Sequence, residues 1–236
     1  MADVDADVWV LTETHLDHAP SAEHRHAVFS SPHPERRPAH EGWTALWSRW
    51  PLQEISRPAS HRGGTVAAVV EHPTDPILVY GTVIAWQRAF YDDGSPGENV
   101  AGPPGRDRPS GTGVAAAPRE HPDLPLIVAG DFNQDRDGSG WYGTTRTRQP
   151  LGEALDTAGL HCVTEMDPGA IGLTSGHLID HICTTADLAD TARVNCWNCY
   201  DATGQRLSDH PTVAADLGPP DVVLSLPGTA VTSSMT

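Results

Sequence analysis

Lysine is absent from this sequence. All 15 basic residues are arginines, and 31 acidic residues outnumber them to give a formal net charge of −16. A strongly acidic protein repels a phosphate backbone unless arginines or metal ions neutralise the contact locally. The composition therefore argues against a broad, non-specific binder of duplex nucleic acid.

Long apolar runs are also missing. No stretch is apolar over the roughly 20 residues that a membrane-spanning helix needs, so we expect no transmembrane segment. The opening "MADVDADVWVL" is acidic and lacks the basic start of a secretory signal peptide, which favours a cytoplasmic location. Hydrophobic residues make up only 38% of 236 residues, which predicts that part of the chain is loop or tail.

Cysteine is scarce, with four residues at positions 162, 183, 196 and 199. Cys196 and Cys199 form a single C-x-x-C. One such pair, without a second pair or nearby histidines at ligand spacing, matches zinc sites poorly. We therefore expect four reduced thiols in a cytosolic protein.

Runs rich in Val, Ile and Thr predict six buried strands, with a hairpin between the second and third because "HPTDP" is a turn signal. A helix is predicted over Gln149–Leu160, with Pro150 near its start. The stretch "GWTALWSRW" fits either a helix or a strand. The predicted strands are residues 7–13, 64–72, 77–86, 126–133, 181–185 and 210–217.

Two segments rich in Gly, Pro and Ser show no apolar period. Residues 92–119 are predicted to form a long flexible loop, and residues 218–236 a C-terminal tail. Neither marks a clean boundary between domains. The simplest organisation is one domain over residues 1–217.

Acids, an amide and an imidazole lie at the ends of the predicted strands. Asp131 and Asn133 close the strand "LIVAGDFN" and face the same way, because residues i and i+2 share one side of a strand. Any one of these groups could be a turn, capping or solvated residue. Together they favour a site at the strand ends, formed by Glu13, Asp131, Asn133, Asp180, Asp209 and His210.

The stretches "TE", "GDFN", "IDHI" and "SDHP" resemble motifs of the endonuclease/exonuclease/phosphatase superfamily, and the resemblance runs from about Ala6 to Leu217. It implies an α/β fold, a four-layered α/β sandwich of two packed mixed β-sheets flanked by helices. It also implies a divalent-metal-dependent phosphoester hydrolase, whether phosphodiesterase, nuclease or phosphatase.

The resemblance assigns a role to each residue by its position in these motifs. Glu13 resembles the family's acidic metal ligand, and Asp209 resembles the metal-proximal acid of the "SDH" motif. Asp131 and Asn133 resemble the pair that positions the attacking water and contacts the phosphate. The implied cofactor is Mg²⁺ or Mn²⁺, since a hard cation takes one or two carboxylates and is completed by water and substrate phosphate.

The remaining motif residues form an acid–imidazole pair. Asp180 resembles the acid that orients the catalytic imidazole, and His210 resembles that imidazole. A carboxylate hydrogen-bonded to histidine fixes the tautomer and favours the charged ring. Such a charge suits phosphoester hydrolysis, which depends on charge stabilisation and a positioned water more than on covalent chemistry by the protein.

The sequence departs from the family pattern in two places. Members normally begin with a strand that ends in an Asn-containing motif well before the acidic ligand, whereas Met1 lies only twelve residues before Glu13. We therefore expect that strand and its Asn ligand to be missing. Many members also carry a His where this chain has Trp86.

Two functions from different classes stay open. The first is a metal-dependent phosphoester hydrolase, and the second is a non-catalytic or truncated relative that acts as a binding module. The sequence does not choose among a nucleic acid, a nucleotide, an inositol phosphate or a phospholipid head group as the phosphoester partner. It does not set the oligomeric state.

Overall fold

The structure, a computed structural model, describes residues 5–17, 19–30, 41–55, 64–84, 121–166, 168–171, 177–200, 203–206 and 208–218. The predicted loop 92–119, Trp86 and the tail beyond residue 218 lie outside these residues. Over the described ranges, no helix is both long and apolar enough to cross a membrane.

A small antiparallel sheet comes first in the chain. It consists of β1 (Val8–His15), β2 (His26–Phe29) and β3 (Glu41–Ser48), in the spatial order β1-β3-β2. The stretch "GWTALWSRW", which fitted helix or strand, therefore contributes most of β3. Because successive side chains of a strand point to opposite faces, Leu46 lies on one face of the sheet and Ala45 and Trp47 lie on the other.

The largest sheet has six strands in the order β4-β5-β6-β7-β9-β8. It is mixed, because β6 and β7 run parallel while their other neighbours pair antiparallel. The predicted hairpin between the second and third predicted strands is confirmed as β5–β6. The strands are β4 (Leu52–Glu54), β5 (Thr65–Val70), β6 (Ile77–Val83), β7 (Leu126–Asp131), β8 (Leu160–Cys162) and β9 (Asp180–Thr185).

A two-stranded antiparallel ribbon ends the described fold, with β10 (Arg193–Trp197) paired to β11 (Thr212–Asp216). All six predicted strands are present, at slightly shifted ends. Four further strands, β2, β4, β8 and β10, were not predicted.

Helices are few among the described residues: α1 (Thr145–Ala158), α2 (Ala186–Ala189) and a 3-10 turn (Pro168–Ile171). The predicted helix is confirmed as α1, but it begins four residues before Gln149, so Pro150 lies inside it. Proline is most favourable in the first turn, and for that reason the pattern placed the helix start too late.

The six-stranded sheet is buried on both faces. One face packs against the small sheet through Val66, Val79 and Leu46, and the other packs against α1 through Val128 and Leu155. The two sheets approach so closely that only glycine fits in the middle of β6. A Cβ added to Gly81 would lie 3.0 Å from Cγ2 of Thr44 and 3.0 Å from Cγ1 of Val10, both on the small sheet, and 2.8 Å from Cγ2 of Val66 on the neighbouring strand β5.

Candidate active site

Two carboxylates face each other at one end of the six-stranded sheet. Asp131 ends β7 and Asp180 begins β9, and the two residues are direct partners in the antiparallel ladder. The next pair is hydrogen-bonded, because the Phe132 N–H donates to the Ile179 carbonyl at 2.8 Å. Since the two kinds of pair alternate, Asp131 and Asp180 form a non-hydrogen-bonded pair, whose Cα atoms lie about 4.5 Å apart with their side chains close.

The backbone beside Asp131 explains the glycine of "GDFN". Gly130 has a φ of +136°, and a Cβ at this position would collide with the carbonyl oxygen of Thr82 on β6. A residue with a side chain fits neither the dihedral angle nor the space. The glycine thus lets β7 run tightly against β6 up to the point where the acid is presented.

Asn133 holds the Asp131 carboxylate from two directions. Its backbone N–H donates to Oδ1 of Asp131 at 2.7 Å, and its side-chain Nδ2 donates to Oδ2 at 2.9 Å. The same Nδ2 donates to the Ile84 carbonyl at 3.0 Å, just after β6. The structure thus brings Asp131 and Asn133 into contact. Asn133 lies past the end of β7 with a φ of +50°, so the contact comes from a bend in the chain and not from the two-residue strand period on which the prediction rested.

Asp180 also holds the imidazole of His210. Nδ1 of His210 donates to Oδ2 of Asp180 at 3.0 Å, which joins the segment before β11 to the start of β9. This hydrogen bond is the main cause that raises the pKa of His210 to about 9, against the opposing effect of burial. His210 is therefore an imidazolium at neutral pH.

Asp131 is held in the opposite electrostatic situation. Burial is the main cause that raises its pKa to about 7, and repulsion from Asp180 adds to it. The backbone hydrogen bond from Asn133 and the charge of His210 act against this rise, and the charge of Glu13 reinforces it. The carboxyl group of Asp131 therefore changes its protonation near neutral pH.

The two predicted metal ligands, Glu13 and Asp209, lie beside this cluster. Glu13, on β1, has a φ of +48° and is exposed, and its charge acts on Asp131. Asp209 is also exposed, and its Oδ2 lies 3.7 Å from Nε2 of His210. The structure thus brings together two hydrogen-bonded pairs, Asn133 with Asp131 and His210 with Asp180, and places Glu13 and Asp209 beside them.

Comparison with known proteins agrees with the motifs. The sequence model of the Endonuclease/Exonuclease/phosphatase family matches residues 1–210. The chain belongs to this family. No curated protein matches the sequence significantly.

Solved structures share the family fold at low sequence identity. A 3'-5' exonuclease (NExo) from Neisseria meningitidis has a TM-score of 0.60 and 21% identity over 91% of this chain and 90% of its own. An AP endonuclease from Archaeoglobus fulgidus has a TM-score of 0.58 and 17% identity over 89% of this chain and 88% of its own. The endonuclease domain of TRAS1, a telomere-specific non-LTR retrotransposon, has a TM-score of 0.55 and 18% identity over 89% of this chain and 85% of its own.

The centre of this family member has a donor set that suits a divalent cation. One ligand atom each from Asp131, Asp180 and His210 lies within 4.8 Å of the other two. Burial, and after it repulsion from Asp180, raise the pKa of Asp131, so a bound cation would relieve unbalanced negative charge. Carboxylate oxygens are the ligands that Mg²⁺ and Mn²⁺ prefer, so the carboxylates of Asp131 and Asp180, with Glu13 and Asp209 beside them, fit such an ion. The protonated ring of His210 serves there as a hydrogen-bond donor and not as a ligand.

Sequence reasoning missed a further acid, Asp135, which holds the loop after "GDFN" in its conformation in this family member. Its buried carboxylate accepts hydrogen bonds from the backbone N–H groups of Gly140 at 2.8 Å and Tyr142 at 3.1 Å. It also accepts one from the hydroxyl of Ser139 at 3.1 Å, and it lies 3.5 Å from the Arg148 guanidinium. The run "DRDGSG" carried the signal, because acids followed by glycines commonly form turns around a carboxylate.

The same loop presents an aromatic ring to solvent, which sequence reasoning also missed. Trp141 is 59% exposed. Its ring stacks on the imidazole of His177, with ring centres 4.7 Å apart and an angle of 16° between the planes. Nδ1 of His177 is in turn 3.0 Å from Oδ2 of Asp137. We call Trp141 and His177 the aromatic rim; no pattern in the sequence distinguishes Trp141 from an ordinary loop residue.

Proposed function

We propose that this protein is a divalent-metal-dependent phosphoester hydrolase: a phosphodiesterase, nuclease or phosphatase. The observation that carries the proposal is the centre of the site, where an imidazolium and two carboxylates are fixed against one another. Asp180 holds His210 in its charged form, and Asn133 fixes the orientation of Asp131. Family membership supports the same class of reaction.

In this proposal, His210 stabilises negative charge on the phosphoryl group. Phosphoester hydrolysis accumulates charge on the phosphoryl oxygens, and a preorganised cationic donor stabilises it without reorganisation. Because Nδ1 is bonded to Asp180, Nε2 is the ring atom that can donate to the substrate. Asp180 acts as the residue that positions and charges this ring.

Asp131 takes the proton of the attacking water. A general base works best when its pKa lies near the operating pH, and the pKa of Asp131 is raised to about 7. Asn133 occupies one lone pair on each oxygen of Asp131 and leaves the others for water. Water bound to Asp131 is thereby held beside the phosphoryl group to which His210 donates.

We assign Glu13 and Asp209 as the residues that hold Mg²⁺ or Mn²⁺. Two carboxylates are sufficient when waters and the substrate phosphate complete the coordination. When bound, the cation supplies charge neutralisation on the phosphoryl oxygens and lowers the pKa of bound water. Both carboxylates are exposed and border the centre of the site, which supports this assignment.

For the substrate we propose a nucleic acid with unpaired bases. The aromatic rim offers an exposed ring for a base, and aromatic stacking tolerates any base. His177 precedes Asp180 by three residues, so their Cα atoms lie within about 11 Å of each other. The net charge of −16 disfavours long duplexes, and the three similar structures described above are those of nucleases.

A substrate panel tests this proposal. The purified chain is assayed with Mg²⁺, Mn²⁺ or EDTA on single-stranded and duplex oligonucleotides, nucleotides, inositol phosphates and phospholipid head-group esters. We expect metal-dependent cleavage of single strands, a loss of at least ~10²-fold in kcat in Asp131→Asn and His210→Ala, and full activity in the control Asp156→Asn on α1. Binding of these compounds without any hydrolysis would instead favour the binding-module alternative.

We further infer a four-layered α/β sandwich, a single domain over residues 1–217, and a cytoplasmic location. The outer face of the small sheet carries buried Trp9, Ala45 and Trp47, which supports a further layer on that side. The four free thiols support a reducing compartment. Limited proteolysis that cleaves other parts of residues 1–217 faster than the predicted loop 92–119 would contradict the single-domain assignment.

A further inference from the structure

Two cysteines face each other away from the candidate active site. Cys162 on β8 and Cys183 on β9 are direct partners in the antiparallel ladder. The neighbouring pair is hydrogen-bonded, since the Val163 N–H donates to the Ile182 carbonyl at 3.0 Å. By alternation, Cys162 and Cys183 form a non-hydrogen-bonded pair, with Cα atoms about 4.5 Å apart and side chains on the same face. That separation falls within the range that a disulfide bridges.

The surroundings make the two thiols unequal. Cys183 is fully buried in the core beneath α1, whereas Cys162 is partly exposed on an edge strand. A hydrogen bond from Cys183 lowers the pKa of Cys162, and the same bond together with burial raises the pKa of Cys183. The hydroxyl of Thr164 lies 3.5 Å from Sγ of Cys162 as a further polar neighbour. The thiolate therefore forms on the cysteine of the edge strand, which is the less buried of the two.

We propose that Cys162 and Cys183 form a reversible intramolecular disulfide when the protein meets a peroxide. The Cys162 thiolate attacks one peroxide oxygen, the O–O bond breaks, and sulfenic acid and hydroxide are produced. The Cys183 thiol then attacks the sulfenic sulfur, the S–S bond forms, and water leaves. Overall, two thiols lose two electrons and two protons, and one hydrogen peroxide is reduced to two waters.

The geometry also favours reversal. The Cα separation of a non-hydrogen-bonded pair lies at the short end of the range for disulfides, and strained bridges are the ones most readily reduced. Transient disulfides of this kind are the usual form in reducing compartments. The bridge would tie the edge strand β8 to β9, the strand that begins with Asp180.

The other two cysteines provide an internal control. Cys196→Ser/Cys199→Ser leaves only the facing pair, and this full chain is treated with a small excess of hydrogen peroxide. We expect both remaining thiols to disappear, a cross-linked peptide that joins Cys162 to Cys183, and full recovery with dithiothreitol. Thiol titration under denaturing conditions and peptide mapping by mass spectrometry give these readouts.

Single variants test the order of the steps. Cys183→Ser should stop the reaction at a sulfenic acid on Cys162 that dimedone labels, while Cys162→Ser should leave Cys183 unreacted. The cross-link in the unsubstituted chain keeps the test valid if a serine variant fails to fold. Persistence of both thiols under peroxide, overoxidation of Cys162 without a cross-link, or disulfides only between chains would each overturn the proposal.

Discussion

At the scale of single residues, the charge of His210 depends on one hydrogen bond. Because Asp180 raises the pKa of His210 to about 9, activity that needs the imidazolium should persist to that pH and fall as the pH rises through it. In Asp180→Asn the pKa should return toward about 6.5, so the fall should occur at lower pH. A pH profile of kcat/KM and NMR titration of the imidazole measure this. An unmoved alkaline limb in Asp180→Asn would rule out His210 as the titrating group.

The raised pKa of Asp131 should lower the free energy of unfolding at neutral pH. Its pKa is about 7 when folded and 3.8 by default, so the folded state keeps a proton that the unfolded chain releases. Unfolding free energy should therefore decrease as pH rises from about 4 to 7, by up to about 4 kcal/mol from this group. In Asp131→Asn this part of the slope should vanish. Urea unfolding in EDTA at several pH values compares the two proteins, and parallel curves would contradict the assignment.

Asp209, at the edge of the site, should affect the metal concentration required for activity more than the rate of the chemical step. Asp209→Ala removes a proposed ligand but leaves the bond between Asp180 and His210 in place. We expect the metal concentration at half-maximal activity to rise about tenfold, corresponding to about 1.4 kcal/mol, with most of kcat restored at saturating Mg²⁺. Asp187→Ala, on α2, is the matched control. An unchanged metal requirement would remove Asp209 from the ligand set.

Sequence patterns located the centre of the site because its residues occupy short, ordered motifs at strand ends. The two-residue period of a strand drew attention to Asp131 and Asn133, although Asn133 lies in a bend past the end of β7, whereas Asp180 and His210 needed the resemblance to a family. Asp135 and Trp141 were missed because a buried carboxylate and an exposed ring in one loop are distinguished only by the folded path of that loop.

At the scale of elements, the loop after β7 should influence substrate binding through Trp141. Loss of one stacked base costs about 1–3 kcal/mol, so Trp141→Ala should raise KM for a single-stranded oligonucleotide by about 5- to 150-fold with little change in kcat. Trp141→Phe should retain most of the affinity. Tyr200→Ala removes another exposed aromatic and serves as the control. A loss confined to kcat would contradict a stacking role.

Two of the strands that escaped sequence analysis are very short. β4 and β8 have only three residues each, too few for an alternating pattern to appear. Their strand conformation comes from partners distant in sequence, β5 and β9. The long buried strands were predicted because a strand that is buried on both faces has a continuous apolar run in its own sequence.

At the scale of the whole molecule, the net charge of −16 should limit contact with a phosphate backbone. Each phosphate neutralised by the protein adds about −0.7 to the slope of log K against log salt for a single strand. Few such contacts are available, so we expect a slope shallower than about −3 and weaker binding to long duplex DNA. Fluorescence anisotropy of Asp131→Asn at several salt concentrations tests this. A steep slope would reveal a basic surface that the total charge conceals.

The register of β9 has an evolutionary consequence. One edge of this strand sets Asp180 against Asp131, and the other sets Cys183 against Cys162, three residues further on. Substitutions along β9 alter one position at a time, but an inserted or deleted codon between the two positions would reverse the facing of one pair. Natural variants and single-codon deletion libraries should therefore show substitutions in β9 but no insertions or deletions. This holds whether selection acts on the pair of acids or on the pair of cysteines.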